Sequence, residues 1–165
     1  MKSTFNKWYK RKQQDNFEAD QQVEQLLQKV KNVAVVGISR NPHRDSHYVG
    51  RYLQNAGYRV IPVNPGAVEI LGEKAYPDLQ SIPDPVEVVD IFRRPEDIPG
   101  VVDEALSIHP KAIWLQLGTG KHPEQKKKVE DHGIQFVQNR CMKVDHQFLI
   151  RPHMQKNGIS CSINE

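Results

Sequence analysis

The sequence is poor in cysteine: Cys141 and Cys161 are the only two in 165 residues. Two are too few for a disulfide framework, and these stand too far apart for a paired zinc motif. They read as free thiols in a reducing compartment. The chain also lacks an apolar run approaching the roughly 18 residues of a membrane-spanning helix, and its mean hydropathy is -0.65. No apolar stretch follows the opening MKSTFNKWYKRKQQD, so the ordered parts of a secretion signal are missing and a cytoplasmic location is expected. Net charge is small as well, +3 from 23 Lys and Arg against 20 Asp and Glu. Residues 1–31 hold seven Lys/Arg and four Asp/Glu, so the whole excess lies there. The main body sums to zero, which disfavours a broad basic face for nucleic acid. A P-loop, an HExxH pattern and a Ser-His-Asp order are likewise missing, so no catalytic machinery is visible.

What is present is a repeated strand-and-helix pattern. Val23, Leu26, Leu27 and Val30 form one apolar stripe, which predicts a helix from Asp20 that docks on the domain. Five apolar, β-branched runs follow: Val33–Val36, Tyr58–Val63, Val86–Phe92, Ala112–Leu117 and Ile134–Gln138. Runs without polar alternation suit strands buried on both faces of a parallel sheet, and each is separated from the next by enough chain for a crossover. Between them, Ser46 is expected to cap a helix that Gly57 ends, and Pro95 to open another in which Pro99 falls early enough to be tolerated. The run PEQKKKVEDHG should form an exposed helix closed by Gly133, with Lys126 to Lys128 on a solvated face. The predicted fold is α/β: a doubly wound, Rossmann-like, five-stranded parallel sheet with helices on both faces and strand order 3-2-1-4-5. The boundaries expected are a basic arm (1–19), the sheet domain (20–149) and a tail (150–165).

In such a sheet the ligand sits beyond the carboxyl ends of the strands, at the switch point between strands 1 and 3 or 1 and 4. After strand 1, Gly37 permits a tight turn, Ser39 offers a hydroxyl, and the following helix N-terminus suits a phosphate, with Arg40 and Arg44 adding charge. G-x-G-x-x-G is not matched, because Ser39 and Pro42 stand where its second and third glycines belong. After strand 2 comes Asn64-Pro65-Gly66 rather than an acid for a ribose, which disfavours NAD. After strand 3, Phe92 offers a flat apolar surface, and one of Arg93 and Arg94 should face the ligand while the other faces solvent. Gln116 is either a bridge between strands or a ligand contact. Cys141 lies at the same edge without an evident partner for catalysis. His43 and His47 are four apart but show no third ligand, so no metal is expected.

The segments VAVVGISRNPHRDSHYVGRYLQNAGYRVIPVNPG, EILGEKAYPDL, VDIFRRPEDIP, WLQLG and NRCMKVDH together resemble the small CoA-binding domain family. That family is similar to the N-terminal CoA-binding domain of the succinyl-CoA synthetase alpha subunit. The resemblance covers about residues 22–149. It implies coenzyme A or an acyl-CoA as ligand, with Gly37, Ile38, Ser39 and Arg40 at the pyrophosphate and Arg44 and Ser46 beside it. Val63, Asn64 and Pro65 would line the adenosine pocket, with Phe92 and Arg93 on the neighbouring wall and Gln116 at strand 4. The synthetase relative carries a phosphorylated histidine on a second domain that is not matched here, and Ala67 stands where it has a lysine. The expectation is a non-catalytic CoA-binding protein, with membrane and nucleic acid not expected as partners and a protein partner or homodimer left open. The alternatives are an enzyme using an NADP-type nucleotide, and an interaction subunit docking through its basic arm.

Overall fold

In the computed structural model, residues 2–156 are described, with side chains from 14 to 154. The side chains of residues 1–13 of the basic arm and of the tail from 155, Cys161 included, lie outside that range. Helix α1 (Lys2–Lys29) leads into β1 (Asn32–Val36), α2 (Asp45–Asn55) and β2 (Arg59–Val63). A small hairpin follows, β3 (Glu69–Ile70) and β4 (Glu73–Lys74), then β5 (Val88–Ile91), a 3-10 turn (Pro95–Asp97) and α3 (Ile98–Ser107). The chain continues through β6 (Ala112–Leu115), α4 (Pro123–Asp131), β7 (Gln135–Gln138), α5 (Met142–Asp145), a π turn (His146–Ile150) and α6 (Arg151–Lys156). None of the described helices is long and apolar enough to cross a membrane.

The five predicted strands are β1, β2, β5, β6 and β7, all parallel and adjacent in the order β2-β1-β5-β6-β7. The fold class is the expected one, with five parallel strands and helices on both faces. The order is not: counted as the predicted strands, it is 2-1-3-4-5 rather than 3-2-1-4-5. Pro62 supplies the reason. Its carbonyl accepts from Tyr76 N at 2.9 Å on the side away from β1, so its missing N–H falls on the outer side of β2. A full strand laid there would lose a ladder bond, which confines β2 to the edge. The third strand therefore pairs on the other side of β1, with Val33 to Val36 opposite Val88 to Ile91.

Side chains alternate across the sheet as strand geometry requires. Val33, Val35, Val60, Val88, Trp114 and Val137 pack on the face covered by α1, α2 and the α5–α6 segment. Ala34, Val36, Ile61, Ile91, Ile113 and Leu115 pack on the face covered by α3, α4 and the 79–86 connection. The stripe predicted on the first helix is buried throughout, Val23, Leu26, Leu27 and Val30 all lying in the first of these clusters. Of the three lysines read as a solvated face, Lys127 pairs with Asp131 and Lys128 with Asp103.

Polar bonds then fix α1 and the C-terminal segment to the sheet. Tyr58 donates its hydroxyl to Leu27 O at 2.6 Å, and Trp114 Nε1 donates to Arg140 O at 2.9 Å. Arg140 itself reaches Asp145 at 2.7 Å and Asp20 on α1 at 2.6 Å. These carboxylates hold its guanidinium above the usual range. Removing one partner of a half-buried network leaves the others poorly solvated. Arg140→Met should cost about 1–2 kcal/mol, read from urea unfolding, and salt should narrow the gap to wild type.

Candidate functional site

The chain leaves β1 towards α2 on one face of the sheet, whereas it leaves β5 towards α3 on the other. Their connections part at the carboxyl ends of β1 and β5, and a crevice opens between them. This selects the first of the two expected switch points.

The β1–α2 loop is built by its own side chains. Gly37 has φ +83, and a Cβ there would lie 2.1 Å from the carbonyl oxygen of Phe92, so β1 and β5 meet here with room for hydrogen only. Ile38 is fully buried and its carbonyl accepts from Asn64 Nδ2 at 2.9 Å, which ties this loop to the turn after β2. Ser39 Oγ accepts from Asn41 N, and Asn41 Oδ1 from His43 N, both at 3.0 Å. His47 Nδ1 lies 2.8 Å from Ser39 O. Ser46 is not the cap it was expected to be: Arg44 holds the cap position, and Ser46 Oγ accepts from Ser39 N at 3.0 Å. The reason is that the helix begins two residues earlier than a Ser46 cap requires, at Asp45, which puts Ser46 inside the first turn. No side chain caps α2, so its first N–H groups are left facing the crevice.

On the β2 side, Gly37 N donates to Val63 O at 3.0 Å, and Asn64 Oδ1 turns Gly66 N at 2.8 Å. Pro65 is exposed there. On the β5 side the two arginines divide. Arg94 is held by Glu96 and Asp97, while Arg93 lies with its Cδ against the Gly37 position and has no carboxylate partner among the described residues. Arg40 and Arg44 are exposed at the loop.

Further along the sheet edge the crevice deepens into a cavity of about 240 Å3, lined by Asp45, Tyr48, Phe92, Gln116, Cys141 and Lys143 among others. A second depression beyond it shares Phe92, Gln116 and Leu117 and adds Arg93 and Thr119. Lys143 Nζ sits 4.4 Å from the Tyr48 ring centroid, so a cation and an aromatic face border the cavity together.

Beneath this floor lies a residue that sequence reading passed over. Asp90, in the middle of β5, is fully buried, and both of its carboxylate oxygens accept from Gln116 Nε2, at 2.9 and 3.0 Å. Burial pushes its carboxyl up to about 7, against the pull of that hydrogen bond. The signal was present in the sequence as one acid inside the run VVDI. Gln116 is thus a bridge between β5 and the end of β6, and at the same time a lining residue of both depressions. A second buried polar pair, Tyr52 Oη and His146 Nδ1 at 2.8 Å, joins α2 to the π turn. Burial, with Arg151 adding repulsion, holds His146 below the usual histidine range.

The profile of the CoA binding domain family matches residues 31–147. An uncharacterized Bacillus subtilis protein, YneT, is 39% identical over 125 residues, covering 76% of this chain and 92% of its own. A solved hypothetical protein from Pyrococcus horikoshii superposes with a TM-score of 0.76 at 40% identity, over 79% of this chain and 92% of that one. The match extends to an enzyme, the ADP-forming acetate–CoA ligase II of Archaeoglobus fulgidus, at 27% identity over 69% of this chain but 17% of the ligase.

Proposed function

Because the chain belongs to the CoA binding domain family, we propose that it binds coenzyme A, free or acylated, in the crevice between the carboxyl ends of β1 and β5, and that it holds the ligand without transforming it. The observation that carries this reading is the uncapped N-terminus of α2 at the switch point, with Arg93, which has no carboxylate partner among the described residues, lying against Gly37. A helix start supplies N–H donors and partial positive charge to a phosphate, and a guanidinium supplies a charge-assisted donor.

In this reading the pyrophosphate lies over Gly37, Ile38, Ser39 and Arg40. Ile38 contributes backbone alone, since its side chain is buried. The hydroxyls of Ser39 and Ser46 are engaged within the loop and act by shaping it. Arg44 adds charge at the helix start. Val63, Asn64 and Pro65 border the adenosine, Phe92 and Arg93 form the facing wall, and Gln116 stands where the chain of the ligand passes on. Among the described residues Cys141 has no hydrogen-bonded base, which favours holding over covalent catalysis.

Isothermal titration tests the reading. Heat on adding CoA or acetyl-CoA, with none on adding NADPH, is the expected result; silence with both CoA forms at high micromolar concentration overturns it. Arg93→Ala should weaken CoA about tenfold, as loss of one charge-assisted phosphate contact does. If the thiol end of the ligand reaches Cys141, its thiolate should attack oxidised CoA, forming the protein–CoA disulfide and releasing one CoA thiol. Intact mass, read in a Cys161→Ala background so that Cys141 is the one thiol present, should then gain one CoA, and none once Cys141→Ala is added.

A further inference from the structure

A carboxylate buried in an apolar strand is costly, and one amide is poor compensation. An apolar residue at position 90 would stabilise the sheet better, so the pair is not explained by stability. What it does determine is orientation. An ionised carboxylate only accepts, and a glutamine amide presents either nitrogen or oxygen to it. With Nε2 spent on both Asp90 oxygens, Gln116 Oε1 must turn away from Asp90. Gln138 Oε1 is the one buried side-chain acceptor without a donor among the described residues. Gln116 Oε1 therefore remains open to the cavity that its side chain lines.

With the crevice read as a CoA site, we propose that Asp90 is a positioning residue, and that it fixes Gln116 Oε1 as the acceptor for an amide N–H of the pantetheine arm. The ligand class follows from the spacing of the strands. The adenosine, in that reading, sits by Asn64 after β2, whereas Gln116 follows β6, three strands away in the order β2-β1-β5-β6. At about 4.8 Å per strand this is roughly 14 Å. A nucleotide seated after β2 does not reach so far. The arm, with its two secondary amides, does.

The test compares CoA with adenosine 3′,5′-diphosphate, which is its nucleotide without the arm, by titration at pH 8, where Asp90 is largely ionised. Gln116→Met keeps the shape and removes the acceptor. It should weaken CoA about tenfold and leave the nucleotide unchanged. Asp90→Asn keeps Gln116 but no longer dictates which way its amide faces. It should shift the same ratio in the same direction by a smaller, severalfold factor, with a thermal melt confirming that each variant is folded. An unaltered ratio in both variants overturns the proposal while leaving CoA binding standing, as does equal weakening of both ligands. A wild-type protein that binds neither ligand overturns the CoA reading and this proposal with it.

Discussion

Replacing Gly37 with alanine should destabilise the protein by about 3–5 kcal/mol, more than alanine at any other described glycine. Two costs combine there. The backbone has φ +83, where a Cβ adds about 1–2 kcal/mol. The added carbon would also lie 2.1 Å from Phe92 O, and the obstacle is main chain rather than the end of a flexible side chain. Relief requires β1 and β5 to separate at the point where Phe92 N donates to Val36 O at 2.9 Å, and this is the wall of the proposed phosphate site. Gly57 is the control: φ is +100 and no atom lies within 4 Å of its Cβ position, so Gly57→Ala meets the conformational cost alone. Urea unfolding of the two variants should differ by at least about 2 kcal/mol, and CoA binding should survive only in Gly57→Ala. Equal losses would show that the close approach of the two strands contributes nothing.

The same contrast shows what was legible before the structure. Five β-branched runs announced five parallel strands because burial on both faces leaves no polar alternation, and the stripe from Val23 to Val30 announced a docked helix because one helical face meets the sheet. Strand order is a global property, and periodicity does not carry it. Yet Pro62, inside an otherwise central-looking strand, was a local mark of an edge. The β3–β4 hairpin also escaped the pattern, since two-residue strands show no period; its turn depends on Leu71 and Gly72 at φ 56 and 74.

The site was legible as a set of loops rather than as a set of contacts. Gly37 lies against Phe92 and Arg93, and Asn64 bonds the loop after Gly37, because the loops that follow parallel strands all open at one edge. Which hydroxyls remain free was not legible: Ser39 and Ser46 are consumed by backbone donors whose positions depend on where α2 starts. The even choice posed for Gln116 has a physical answer in Asp90, the one acid in an apolar strand, and a lone polar residue in such a run is a question about its partner.

Asp90 should also make stability fall as pH rises. Its carboxyl is pushed up to about 7 in the folded protein by burial, against about 3.9 in an unfolded chain. Between these values the folded state keeps a proton that the unfolded state releases, so its contribution is complete below about pH 4 and is lost as pH climbs through 7. Three pH units correspond to roughly 4 kcal/mol. His146 works in the opposite sense, because its lowered folded value removes stability as pH drops below about 6.5. The wild-type curve therefore mixes two opposed slopes, and the difference between wild type and Asp90→Asn isolates one of them. That difference should be near zero at pH 4 and favour Asp90→Asn by several kcal/mol at pH 8, measured by urea unfolding across the range. A flat difference would mean that Asp90 is ionised in the fold from low pH onward, held by Gln116 alone. The asparagine variant that stabilises the sheet at pH 8 is also the one expected to bind CoA less well there. A site that gives up stability to orient one amide should show both changes in the same protein.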